Sequence, residues 1–521
     1  MRILASILWF LIFTKSLLFW LWLWQLKEYH FGRFRAHFET QKIKKIISSF
    51  YRIKFPELTK KTIIILFFGI LIEFLILIYL FSLPEYLFYI SLLILVIISP
   101  LFFSLLILLF QIPTVFLRKI ILKRAKEKRK KFKELLVIGI TGSYGKTSTK
   151  EFLGEILSEK FNGSINSPQD GSINSPQDGS MGSPQRVLKT KKHINAEIGI
   201  AQTILNELQD EHQIFIAEIG AYERGKIKEV CEILQPQIGI LTGISEQHLS
   251  TFGSQENIIG AKYELIESLP PKGLAVFNGN NKYCQELYQR TKIPKRISTG
   301  KNLDKSIKPD IWAQNIKEEK EGISFKVFSK DGDWADFRVN LIGAHNIENI
   351  LMAAIVAKEL GINLIDVSRA CDKLTSSSGT LRLRRGKNEW NILDATYSAN
   401  SQGVISHLDY LKIWPGKKII IMPCLIELGS SSKEVHQRIG EKIGKICDLA
   451  IVTTGDRFKE LKESAQKSGM SPENILLLEN PKQIFEKLKK FCLPGDIILL
   501  ESRVPQLLIE MLVGKNGNQR N

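Results

Sequence analysis

No two cysteines in this chain stand close enough to form a CxxC pair. The six that occur (Cys231, Cys284, Cys371, Cys424, Cys447 and Cys492) are scattered, which argues against a zinc ribbon or a disulfide frame and for reduced thiols in a cytosolic setting. No LSGGQ-type signature follows the glycine-rich loop near residue 142, so an ATP-driven transporter is poorly supported. Acidic residues are in deficit, 53 against 72 Lys and Arg, for a net charge of +19. That excess is local: residues 27–61 hold ten Lys and Arg against three acids, and residues 118–133 hold ten against one. Both clusters flank apolar runs, which points to a membrane surface and away from a nucleic-acid partner.

Three long apolar runs are present, at about 3–26, 62–81 and 86–110. Each approaches the roughly 20 residues that a helix needs to cross a bilayer. The first is too long for a cleaved signal peptide, and no small-residue cleavage site follows it. With both basic clusters on the cytoplasmic side, everything after Arg118 is expected there too, giving a multi-pass protein of the cytoplasmic membrane. Residues 1–117 read as a membrane region and 118–133 as a basic juxtamembrane segment. Lys15 and Glu73 sit inside apolar runs. Either Lys15 snorkels while Glu73 faces a neighbouring helix, or the two form an interhelical ion pair.

From residue 134 short β-type runs alternate with amphipathic helical stretches, the pattern of an α/β protein with a parallel sheet. The stretch VIGITGSYGKTSTK, residues 137–150, predicts a strand, a glycine turn and a helix over about 146–160. A strict phosphate loop would carry glycine at position 140, where Ile140 stands. The glycines are instead three apart, at Gly139, Gly142 and Gly145. Backbone N–H groups around Gly142, Ser143, Gly145 and the helix start at Lys146, Thr147 and Ser148 are candidate phosphate contacts. Lys146 would neutralise the β and γ phosphates, and the Thr147 hydroxyl would bind magnesium. Two further predicted strands end at Glu218 and in GISEQH at His248. Ligands gather beyond the carboxyl ends of such strands. Thr147, Glu218 and His248 are therefore a candidate metal shell, against the ordinary readings of a capping acid and a hydrogen-bonded loop histidine. Between 162 and 186 the tandem repeat GSINSPQD has too little apolar content to pack and reads as a flexible surface loop.

These residues resemble the ATP-dependent Mur ligases of peptidoglycan synthesis, nearest the branch that adds D-alanyl-D-alanine to the muramoyl tripeptide. GITGSYGKTS is similar to that family's own loop. AEIGAYERGKIKEV, LTGISEQHLSTFGSQENIIGAKYELI, GAHNIENILMAAIVAKELGI, ILDATYSANSQGV and CLIELGSSSKEVHQRIGE follow in the family's order. The resemblance implies a phosphate-loop central domain over 134–387 and a Rossmann-like C-terminal domain over 388–514, with ATP and magnesium as cofactors. It implies that Glu218 and His248 ligate metal and that Lys262 is carbamylated to hold a second magnesium. It also implies that Asn346 and Asn349 contact adenine, and that Asp394 is carried to the active site by the C-terminal domain. The reaction implied is amide formation through an acyl phosphate, between a cell-wall peptide precursor and an amino acid or dipeptide.

Three departures stand out. Membrane helices replace the soluble domain that holds the family's UDP-sugar, which implies an acceptor that is lipid-linked or bound differently. Thr380 stands where an arginine reaches the γ-phosphate, leaving Arg382, ahead of Arg384 or Arg385, as the candidate substitute. Asp394-Ala395, Asn400-Ser401 and Glu501-Ser502 replace Asp-Asp, Asn-Pro and Lys-Gly-Ser. Two alternatives accompany the leading expectation: a membrane poly-amino-acid (capsule) ligase or lipid-linked precursor modifier, and a degenerate ATP-binding scaffold. The set Lys146, Glu218, His248 and Lys262 argues against the scaffold.

Overall fold

Leucine, isoleucine and phenylalanine dominate the three N-terminal runs, and each run becomes one helix: Arg2–Leu26, Lys60–Phe81 and Glu85–Leu109. The computed structural model describes residues 1–27, 29, 34, 53–161, 186–191, 194–300, 306–375, 381–396 and 400–514. The octapeptide repeat (but for Arg186), Thr380 and most of the first basic cluster lie outside the described residues. The chain divides into two units, Met1–Ile121 and Leu122–Asn521.

Inside the first unit Trp9, Phe13, Leu17, Phe88 and Phe103 pack together. Some of its polar groups pair inward: Ser16 and Ser99 share a 2.8 Å hydrogen bond, and the Trp9 indole N–H donates to the Leu92 carbonyl at 3.0 Å. The outward surface is apolar, with Phe67, Leu93 and Leu101 all exposed. Hydrogen bonds inside and hydrocarbon outside is an arrangement that a lipid solvent favours and water does not. All three helices are long and apolar enough to cross a membrane. Glu73 is fully buried and accepts a 2.6 Å hydrogen bond from Thr14, as the reading in which it faces a neighbouring helix expects, and the alternative Lys15–Glu73 ion pair does not occur among the described residues. The reason is helical: successive residues lie about 100° apart around the axis, so Thr14 and Lys15 cannot both face Glu73.

The boundary between the units falls within the basic helix Gln111–Lys131. One of its charges is structural. Arg129 is buried and donates to the carbonyls of Leu234 (3.0 Å), Phe132 (2.7 Å) and Leu135 (3.2 Å).

The second unit holds two sheets. The first comprises β1 (Leu136–Thr141), β2 (Val187–Lys189), β3 (Ile214–Glu218), β4 (Ile238–Leu241), β5 (Leu274–Asn278), β6 (Lys295–Thr299), β7 (Ile311–Glu318), β8 (Ile323–Ser329) and β9 (Trp334–Val339). Their order is β2-β3-β1-β4-β5-β6-β7-β8-β9, parallel up to β7 and antiparallel beyond it. The sequence shows this division. β3, IFIAE, is buried at every position, whereas β8, ISFKVFS, alternates between buried and half-buried, as expected of strands covered on two faces and on one. β1 lies between β3 and β4, so the chain leaves it toward opposite sides of the sheet. The loop after β1 therefore opens at a switch point, where α/β sheets bind ligands.

The second sheet comprises β10 (Arg382–Arg385), β11 (Asn391–Ala395), β12 (Lys418–Met422), β13 (Leu449–Val452), β14 (Ile475–Leu477) and β15 (Ile497–Glu501), in the order β10-β11-β15-β12-β13-β14. All pairs are parallel except β10 with β11. This sheet begins before the expected boundary at 388, because β10 returns against β11 as an antiparallel edge that a parallel-sheet pattern does not predict.

Candidate active site

Each of the three spaced glycines has a separate reason. Gly139 lies in β1, and a Cβ there would stand 2.7 Å from the Leu265 side chain, so glycine lets the covering helix approach. Gly142 and Gly145 have φ of +151° and +78°, in the region that disfavours side chains. A Cβ on Gly145 would also lie 2.5 Å from Asn349 Oδ1. Gly145→Ala is thus expected to weaken ATP binding by roughly tenfold or more, since strain of about 1–3 kcal/mol would fall on the loop. Titration calorimetry with ATP checks this, and an unchanged affinity would contradict the assigned role.

The helix Lys146–Phe161 starts directly after this turn. Its first N–H groups have no partners within the helix and face the loop opening, with the helix dipole behind them. Lys146 folds back so that its ammonium donates to the Gly142 carbonyl at 2.8 Å. Burial lowers its pKa, opposed by the nearby Glu218 carboxylate. Thr147 Oγ1 lies 2.9 Å from Glu218 Oε2. One turn on, the buried Lys150 places its ammonium 3.5 Å from the same carboxylate oxygen, and Asn195 donates to the other at 3.2 Å. Lys150 and Asn195 escaped the sequence reading. The i, i+4 spacing from Lys146 was the available signal for Lys150, since it puts both lysines on one helix face.

This donor set suits a hard cation. The 2.9 Å separation is that of a hydrogen bond from the Thr147 hydroxyl to the Glu218 carboxylate, and both groups are oxygen donors of the kind magnesium takes. Among the described residues no three His, Cys, Asp or Glu side chains gather as a preformed metal cluster. An ion would therefore rest on Glu218, the Thr147 hydroxyl and oxygens brought by the nucleotide, with His248 as the further candidate ligand. Lys262, on the helix Gln255–Glu267, is buried, and its ammonium reaches the Ala221 carbonyl at 3.4 Å. Burial first, and the charge of Lys146 second, bring its pKa down to about 7. His248 adopts a left-handed φ of +67° at the end of the loop after β4. Its Nδ1 lies 2.6 Å from Glu427 Oε2, a residue of the C-terminal domain. Burial lowers the His248 pKa; Glu427 opposes this, and Lys262 and Lys146 reinforce it.

Asn346 and Asn349 open the helix His345–Glu359. The buried Asn346 amide donates to the Ile342 carbonyl at 2.8 Å, while its Oδ1 accepts no hydrogen bond. An orphaned buried acceptor suits an exocyclic amine such as adenine's. Asn349 is engaged differently: its Oδ1 accepts from Thr149 at 3.2 Å and braces the phosphate loop beside Gly145. Between them Glu348 accepts from Asn278 at 2.8 Å and Asn280 at 2.9 Å, a contact that sequence reasoning also missed.

The C-terminal candidates are distributed otherwise. Arg382 is exposed, whereas Arg384 pairs with Asp394 at 3.0 Å. Ser401 and Arg438 reach Glu246 of the central domain at 3.2 and 3.3 Å. Buried Glu501 pairs with His407, whose ring meets His345 edge-on at a 5.3 Å centroid distance.

A loop, a helix start and a buried lysine arranged in this way suit the binding and neutralisation of a triphosphate. A second domain touches the loop after β4 at Glu246 and His248. That is the construction of an ATP-dependent ligase. The Mur ligase middle domain matches residues 140–357, and the Mur ligase glutamate ligase domain matches 381–503. A UDP-N-acetylmuramoyl-tripeptide–D-alanyl-D-alanine ligase of Synechocystis sp. is 30% identical over 372 residues, 70% of this chain and 71% of that one. Its counterpart in Buchnera aphidicola is 29% identical over 348 residues, covering 66% and 69%. In fold, the crystal structure of MurF from Acinetobacter baumannii superposes with a TM-score of 0.62 at 23% identity, covering 75% of this chain and 79% of that one. MurF of Thermotoga maritima, crystallised with ADP, gives 0.60 at 24%, covering 76% and 83%. The chain belongs to the Mur ligase family, whose members form amide bonds using ATP with magnesium.

Proposed function

We propose that this chain joins a carboxylate of a peptidoglycan precursor to the amine of an amino acid or dipeptide, at the cytoplasmic face of a membrane. The observation that carries the reading is the phosphate loop itself, with Gly142 and Gly145 at positive φ, Lys146 folded onto the Gly142 carbonyl at 2.8 Å, and Thr147 hydrogen-bonded to Glu218 at 2.9 Å beside it. In the reaction a carboxylate oxygen attacks the γ-phosphorus, ADP leaves, and an acyl phosphate forms. The amine nitrogen then attacks the acyl carbon, its proton goes to solvent or a base, and phosphate departs as the C–O bond breaks. Lys146 holds charge against the phosphates at both stages, where a desolvated cation is worth most. Bound magnesium would supply further positive charge at the same oxygens. Contact of the C-terminal domain with the loop after β4 helps keep water from the acyl phosphate.

The relatives act on a UDP-linked muramoyl tripeptide and D-alanyl-D-alanine, as their names state. Here the first 139 residues lie outside both family matches, and the three long helices among them have an apolar outward face. This supports a membrane-anchored enzyme with a lipid-linked acceptor. The test is detergent-purified protein with ATP, magnesium and a panel of lipid-linked and UDP-linked precursors and amines, following phosphate release. Release that needs both acceptor and amine supports the ligase. Release with UDP-linked precursors alone would exclude the lipid-linked acceptor.

Anchoring has its own test. In fractionated cells the full chain is expected to stay with the membranes through high salt and alkaline carbonate, and to leave only with detergent. Three helices of at least 22 residues bury far more apolar surface than any electrostatic attachment could replace. Release by salt would exclude integral insertion.

A further inference from the structure

The loop after β4 reaches the C-terminal domain through three separate contacts, and one of them involves a candidate metal ligand. Glu246 receives Ser401 and Arg438, the Ser250 backbone N–H donates to the Glu427 carbonyl at 3.2 Å, and His248 Nδ1 meets the Glu427 carboxylate at 2.6 Å. With Glu427 in its ordinary ionised form the carboxylate accepts and cannot donate, which assigns the proton of this bond to Nδ1. The neutral ring then has its lone pair on Nε2. Among the described residues Nε2 makes no hydrogen bond, and the Tyr222 ring, edge-on at a 4.8 Å centroid distance, limits rotation of the imidazole. Both His248 and Glu427 have left-handed backbone, with φ of +67° and +65°. Two side chains from different domains are thus aimed at each other, each from a left-handed backbone position.

We propose that Glu427 is a positioning residue which couples domain closure to metal binding, by fixing His248 in the tautomer that leaves Nε2 for the metal. The inference rests on the reading of His248 as a ligand. With the domains apart the imidazole loses its Nδ1 acceptor, and both the tautomer and the ring angle are released. With the domains together the ring is set before an ion arrives. Reciprocity follows: if closure strengthens metal binding, metal strengthens closure by the same factor. Glu246, which binds Ser401 and Arg438 but not the histidine, helps hold the domains together without selecting the tautomer. One domain movement would thereby make the site ready for phosphoryl transfer and shield it.

The experiment uses the full chain in detergent with Mn2+ as the probe, read by electron paramagnetic resonance, and hydrogen–deuterium exchange over residues 244–250. Outer-shell partners of a metal-bound histidine typically carry about 10–100-fold in affinity. Glu427→Ala is expected to weaken Mn2+ binding by about that factor and to abolish the slowing of exchange that Mn2+ causes in the unaltered chain. Glu427→Gln, which keeps an acceptor oxygen, is expected to stay within about threefold. Glu246→Ala should loosen the exchange of the loop with a smaller loss of Mn2+ affinity. If His248→Ala loses Mn2+ while Glu427→Ala keeps it, the metal reading stands and the coupling falls. If His248→Ala binds Mn2+ as the unaltered chain does, the ligand reading itself falls. Equal losses in the Ala and Gln variants would overturn the tautomer account, since the carboxylate charge alone would then explain the effect.

Discussion

Lys146→Ala is expected to cost roughly a thousandfold in ATP-dependent amide formation, the upper end for removal of one preorganised group at a site of charge development. The reasoning is electrostatic. In the free protein the Lys146 ammonium is already stripped of much of its water, and its pKa is lowered by burial. It bears that cost without a full counter-ion, holding the Gly142 carbonyl at 2.8 Å and lying near Glu218. A triphosphate supplies the missing charge, and the transition state spreads negative charge over oxygens within reach. Lys146→Arg is not expected to rescue, because a planar guanidinium cannot turn back onto Gly142 as a compact ammonium does. Folding should move the other way: deleting a desolvated charge leaves the thermal midpoint of the nucleotide-free protein unchanged or raised. Activity within tenfold of the unaltered enzyme, with normal ATP affinity, would rule out the role.

Lys262→Met is expected to lower turnover by roughly a hundredfold, the loss typical of one electrostatic contact to the transition state, while stabilising the protein near neutral pH. A buried lysine whose pKa falls to about 7 is substantially neutral under physiological conditions, and only the neutral amine can attack carbon dioxide. Carbamate formation needs the nitrogen lone pair and releases one proton, and it converts a cation into an anion able to face a metal. The labelled carbamate, followed by carbon-13 NMR, is expected above pH 7 and lost below it. The sign of the stability effect follows from proton linkage. In the unfolded chain Lys262 keeps its proton up to the ordinary value of 10.5, whereas the folded chain releases it near 7. Between these values the unfolded state binds more protons, so stability rises with pH in that window. The Met variant has no such rise. A Lys262→Met midpoint that tracks the unaltered protein across this range would show that the lysine is not held neutral.

The phosphate loop was readable because its chemistry is contiguous. Gly139, Gly142, Gly145, Lys146 and Thr147 span nine positions, and a strand, turn and helix of that length leave few alternatives. Glu218 was readable as a strand-end residue, since parallel strands deliver their carboxyl ends to one edge, whereas His248 lies well beyond β4, at the start of the short helix Leu249–Phe252. The partners of both were not readable. Asn195 meets Glu218 across 23 positions and Glu427 meets His248 across 179, and no periodicity spans such gaps. The same holds for Asp394, which the family order picks out but whose pairing with Arg384 depends on the antiparallel return of β10. The three apolar helices were legible from composition, yet the Thr14–Glu73 contact needed the rotation of two helices about their axes.

By itself the sequence determined the class of this protein: a phosphate loop, an ordered series of Mur ligase blocks and three apolar runs ahead of them. Each is a short-range property, set by residue type and spacing along the chain. Only the tertiary structure decided how the charges are distributed. It set Glu218 between Thr147, Lys150 and Asn195, buried Lys262 and placed it near Lys146 so that its pKa falls, and brought Glu427 onto His248. The physical reason is that burial and Coulomb interaction depend on distances in space, and those distances exist only once the two sheets of the second unit have formed and met.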